Sequence, residues 1–198
     1  MRNDKRHSRR KRILTAPLVA LLAALIFATV PFQTFALSPA RPRPLPDLPE
    51  LPYSEAELNM MANVVNGEVG GITGTVTIYY ASGETVESDG QTLRRIHARV
   101  VDNQVKSEIF PDSVKSCISL YWSSAYTGTG WRTSEQWQHC RMDVLFALWG
   151  CVEVPDNVLA ATCDPRFAER YTGYKLWAKV RWDTGWVSGT FYYYQYGG

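Results

Sequence analysis

The chain has 198 residues, enough for one domain with appendages. Residues 1–52 hold nine of the 21 Lys and Arg but three acids, whereas residues 53–198 carry 12 basic and 16 acidic side chains. A net charge of −4 on the segment that also holds all seven Trp and all eleven Tyr argues against a nucleic-acid partner, because polyanion binding rests on clustered cations.

The chain opens on a targeting pattern. Seven basic residues from Arg2 to Arg12 precede residues 13–30, an apolar run without a charge, and Thr34-Phe35-Ala36 places small residues where a signal peptidase cuts. The run is long for a signal and near the lower limit for a membrane span. Residues 1–36 are therefore either a cleaved signal peptide or a retained membrane anchor. In both cases the positive end stays inside and the rest is exported, secreted or anchored to the cell envelope. Only this segment is expected to touch a membrane. Residues 37–52 follow as a linker, with six prolines between Ser38 and Pro52 that favour a semi-rigid polyproline II spacer.

Residues 53–198 form the expected domain. Ser54 and Glu57 make a capping box, and Leu58, Met61, Ala62 and Val65 form one stripe of a helix that ends at Gly70-Gly71. Residues 75–87 read as a hairpin around Ser82-Gly83. A second helix starts at Thr92, buries Leu93, Ile96, Val100 and Val101, and ends near Lys106. Pro111-Asp112 restarts the chain into a short helix through Cys117 to Leu120. Ser134 caps a helix over 135–149 that turns Cys140, Val144, Ala147 and Leu148 inward and stops at Gly150. Aromatic strands over 175–182 and 186–194 flank an Asp183-Thr184-Gly185 turn. Helices and two hairpins without βαβ alternation predict an α+β, helix-dominated fold.

Cys117, Cys140, Cys151 and Cys163 are an even set in an exported domain, which predicts disulfides with three possible pairings. Their gaps of 23, 11 and 12 residues, with only His139 adjacent, do not suit zinc, and no metal or cofactor is expected. Cys117 or Cys140 with His97 or His139 would supply a cysteine nucleophile. Mid-helix cysteines on an apolar face fit a structural role better. No Gly-x-Ser-x-Gly is present.

One carboxylate stands out. Glu68 lies ten residues after Leu58, at the border of the buried stripe, flanked by Gly67 and Gly70-Gly71, which allow close approach. Partial burial disfavours an ionised carboxyl, and a protonated one is what glycosidic cleavage needs.

Three stretches extend this: VVNGEVGG around Glu68, ARVVDNQVKS on the second helix and IFPDSVKSCI after it. In that order they resemble the SleB-type cell-wall hydrolases, spore cortex-lytic enzymes with a lysozyme-like fold, over residues 55–120. Glu68 falls on the catalytic glutamate of that family, Asn103 on its asparagine and Phe110-Pro111 on its Phe-Pro. Gln104 replaces the usual arginine, and the Gln-Phe-Ser segment of the family has no counterpart in residues 122–132. The resemblance implies cleavage of peptidoglycan glycan strands by a lysozyme-like hydrolase or a lytic transglycosylase. One glutamate would then act as acid and base. Should water be the nucleophile, Asp102, Asp143 and Glu153 are candidate second carboxylates. Asn103, Trp122, Tyr126, Trp131 and Tyr193 are the expected substrate contacts, the aromatics as platforms for sugar rings. The rival reading is a non-catalytic glycan-binding or envelope-structural domain on a degraded hydrolase fold.

Overall fold

A computed structural model describes residues 48–128 and 134–197. The leader, most of the linker and Trp131 lie outside the described residues. The described residues form a mixed α+β fold of five α-helices and one five-stranded antiparallel sheet.

Helix α1 spans Glu55–Val69. Its capping box is made: Ser54 Oγ accepts from the Glu57 amide at 3.4 Å, and the Ser54 amide donates to Glu57 Oε2 at 2.8 Å. Strands β1 (Thr75–Tyr80) and β2 (Thr85–Asp89) form the first hairpin, with Gly83 at φ +94° in its turn. Helix α2, Gly90–Lys106, begins two residues earlier than its apolar pattern suggests, because Asp89 Oδ1 accepts from the Thr92 amide at 2.9 Å. Gly90 is required there: a Cβ would run into the Ile72 carbonyl. Helix α3, Val114–Ile118, leads into an i→i+5 turn at Ser119–Ser123 and a 3-10 turn at Ser124–Thr127. Helix α4 covers Glu135–Leu148 behind its Ser134 cap. Strand β3 (Val158–Thr162), the short helix α5 (Phe167–Arg170), β4 (Tyr174–Asp183) and β5 (Ser188–Tyr196) complete the chain.

The two expected hairpins are both present, and they share one sheet of order β2-β1-β4-β5-β3. The fifth strand, β3, has no counterpart in the sequence expectation. Its free edge is closed by side chains of α2. Asn103 Nδ2 donates to the carbonyls of Pro155 at 2.8 Å and Val158 at 3.2 Å, and Gln104 Nε2 to that of Leu159 at 2.7 Å. Two carboxamides thus occupy acceptors that an edge strand would otherwise expose.

Helices α1, α2 and α4 pack on one another, and α2 lies against the sheet. Met61, Val65, Ile96, Val100, Val144, Ile78 and Val180 meet in one core. Asp143 on α4 joins α2 through Arg94 (2.6 Å) and Arg95 (3.0 Å), and Asp102 is wholly buried between Arg99, Lys106 and the Tyr53 hydroxyl. The expected disulfides are not formed: all four cysteines are free. Cys117 and Cys140 are buried apart, Cys117 Sγ 3.6 Å from Gln104 Oε1 and Cys140 Sγ 3.9 Å from Asn66 Oδ1. Cys151 and Cys163 are exposed.

Candidate active site

Glu68 sits in the last turn of α1, half-buried. The Tyr126 hydroxyl, from the 3-10 turn, donates to Glu68 Oε1 at 2.9 Å. Gly67 makes this possible: the Tyr126 ring lies where its Cβ would be. Burial, then the hydrogen bond to Glu68 and its charge, push the Tyr126 hydroxyl up to about 12, so the phenol keeps its proton and serves as donor.

The turn is held in register by Asn63, one and a half turns earlier on α1 and wholly buried. Its Nδ2 donates to the carbonyls of Tyr126 (2.7 Å) and Gly128 (3.0 Å), and its Oδ1 accepts from Trp137 Nε1 at 2.9 Å. Sequence reasoning missed Asn63. Its signal was a carboxamide embedded in a run of apolar helix residues, where an unsatisfied amide would be expensive. Beyond the sheet edge, Cys163 follows β3. Partial burial, then the charge of Glu68, raise its thiol.

Of the other expected contacts among the described residues, the structure brings Tyr126 to Glu68. Asn103 is 2 % exposed, and its Nδ2 donates to the carbonyls of Pro155 and Val158. Tyr193 is 0 % exposed, its hydroxyl 2.6 Å from His97 Nδ1, so it belongs to the core and offers no face to a sugar. Trp122 is half-buried, donates from Nε1 to Gln104 Oε1 at 2.7 Å and packs beside His97. Gln104 therefore ties α2 to β3 and to the Ser119–Ser123 turn without a charge. Trp137 is buried against Asn63.

Asp102 and Asp143 are both buried in ion pairs and cannot meet a substrate. Glu153 lines a separate depression of about 970 Å³ with Tyr80, Glu84, Trp149 and Trp177, which does not include Glu68. The cysteine-nucleophile arrangement is also not assembled. Burial pushes Cys117 up to about 12 and Cys140 up to about 11, which keeps both as thiols. His97 faces Tyr193 and the Leu93 carbonyl.

Compared with known protein families, characterised proteins and solved structures, the chain matches none.

Proposed function

We propose that the domain cleaves the glycan strands of peptidoglycan, with Glu68 as general acid and then base. The observation that carries this is the half-buried Glu68 carboxyl held through Oε1 by the Tyr126 hydroxyl, which leaves Oε2 for a substrate. In the reaction, protonated Glu68 gives its proton to the glycosidic oxygen as the bond to the sugar carbon breaks. The resulting carboxylate then takes a proton from the hydroxyl that attacks that carbon. In a lytic transglycosylase this hydroxyl belongs to the sugar itself, and an anhydro ring forms. In a hydrolase it belongs to water.

The single-glutamate route fits a site in which Asp102 and Asp143 are consumed by arginines. A lysozyme-like ancestry accounts for the order of the first helix ending at a glutamate, the long second helix and the short helix after Phe110-Pro111. The export signal read at residues 1–36 puts the domain in the compartment where its substrate lies. The rival reading, a glycan-binding domain without catalysis, is favoured by two features: Gln104, a structural carboxamide where the resembling family carries an arginine, and the missing Gln-Phe-Ser segment.

The test is to incubate the protein with purified sacculi and weigh the released fragments. Fragments one water lighter than reducing-end products identify transglycosylation, and reducing-end products identify hydrolysis. Intact sacculi that nevertheless retain the protein identify the binding domain.

A further inference from the structure

The sheet has a second face, directed away from α2. Side chains alternate along a strand: on β4, Ala178 and Val180 are buried whereas Arg181 is exposed and Lys179 half-exposed. Register carries the outward set across the sheet. One row runs Thr85, Tyr79, Lys179, Tyr192, and the next runs Glu87, Thr77, Arg181, Thr190. Helix α5 packs at one end only, through Phe167 against Tyr174 and Tyr194. Elsewhere on this face lies a depression of about 400 Å³ lined by Tyr79, Lys179, Arg181, Thr190 and Tyr192 among others.

Four features of this depression agree on one kind of ligand. Lys179 Nζ stands 4.7 Å over the Tyr79 ring, and among the described residues neither Lys179 nor Arg181 has an acidic partner. Two unpaired cations on the central strand, in a segment whose net charge is −4, select an anion. Tyr192 in the same row offers a ring face, and Thr190 and Ser188 offer hydroxyls. At the adjoining β4–β5 turn, Trp186 is 96 % exposed. A lipid surface would need a broad apolar patch, and the depression is hydroxylated and charged instead. A nucleic acid would need more cations than two. Rings, hydroxyls and a pair of cations together suit a sugar chain that carries acid groups.

We propose that this face of the sheet is a second binding site, for a carboxylate-bearing glycan, with Lys179 and Arg181 on its acid groups and Tyr192 against its sugar rings. It does not depend on Glu68 or on cleavage. An arginine guanidinium can take a carboxylate through two parallel hydrogen bonds, and lysine adds a mobile point charge. The site would hold the domain on an anionic wall polymer while the Glu68 side is free to act.

The probe is alginate, a polymer of uronic acids, with neutral dextran as the uncharged control. The protein should bind alginate more tightly than dextran, and added salt should weaken binding. The double variant Lys179→Gln/Arg181→Gln should lose roughly 10-fold or more in affinity, as expected when two charge-assisted contacts go. Arg181→Glu, a change at an exposed position, should do the same with an unaltered melting temperature. Glu68→Gln should bind alginate as the native protein does, which separates this site from the catalytic proposal. Alginate binding that survives both substitutions overturns the inference. So does the absence of alginate binding, or tighter binding to vesicles of anionic phospholipid or to single-stranded DNA than to alginate.

Discussion

The Tyr126 hydroxyl reaches Glu68 Oε1 at 2.9 Å across 58 positions of sequence, and it does so over the bare Cα of Gly67. The carboxyl is thereby held by one oxygen, with the glycine serving as the space in which the tyrosine ring lies. The hydrogen bond fixes the direction in which the carboxyl points.

Tyr126→Phe removes that donor and keeps the ring. Cleavage of sacculi is expected to fall about 10-fold, the scale of one lost positioning hydrogen bond of ~1.5 kcal/mol. Urea unfolding should shift by no more than about 1.5 kcal/mol. An unchanged rate would mean that Tyr126 plays no part in orienting the acid.

Gly67→Ala tests the same contact from the other side. The new methyl must displace the Tyr126 ring, which can swing away, so the fold should survive with a loss of about 1–3 kcal/mol. Activity should fall at least as far as in Tyr126→Phe. Combining the two changes should add little to the rate loss, since both break one contact.

Much of this was legible in the sequence, and the failures have physical causes. The capping box at Ser54, the Asp183-Thr184-Gly185 turn and the apolar stripe of α2 each depend on neighbours within a few residues. Strand β3 was missed because five small and apolar residues, VLAAT, carry no period. Asn103 was placed at the site by its motif. Only the tertiary fold shows its amide spent on the carbonyls of Pro155 and Val158. Tyr193 was chosen as an aromatic on a strand, although alternation assigns half of such residues to the core, and this one is there. The border position of Glu68 was readable from helical spacing. Its partner Tyr126 and the anchoring Asn63 were not, because no local pattern links residues so far apart.

Gln104 is the junction of three elements, and Gln104→Leu keeps its volume while stranding the Trp122 indole N–H and the Leu159 carbonyl. Stability should drop by about 2–4 kcal/mol, which urea unfolding would register as a lower midpoint with an unchanged slope. A shift within half a kcal/mol would show that the network contributes nothing net.

His97 makes stability depend on pH. Burial lowers its pKa from 6.5 to about 3, with the Leu93 carbonyl opposing the shift. The unfolded chain therefore binds a proton that the folded chain does not between those values. The resulting loss is absent above pH 6.5 and grows as the pH falls towards 3, by about 1.4 kcal/mol for each pH unit. In His97→Gln that part of the slope should vanish, as measured by urea unfolding at pH 7 and pH 5. An equal slope in both proteins would place the acid sensitivity elsewhere.

The four free thiols differ in access. Under native conditions a maleimide should label Cys151 and Cys163 and leave Cys117 and Cys140 until denaturant is added. Rapid native labelling of all four would contradict this placement.

The central claim concerns a single proton. Glu68→Gln preserves the size of the side chain and an oxygen that can accept from Tyr126, but it cannot give or take the proton that glycosidic cleavage requires. The most direct measurement is the rate at which native protein and Glu68→Gln release soluble fragments from purified sacculi, at matched concentration and with melting temperatures compared. The native protein should release fragments, and the variant should be slower by ~100-fold or more while folding equally well. Equal release by the two proteins, or none by the native protein, would contradict the assignment of Glu68 as the catalytic acid.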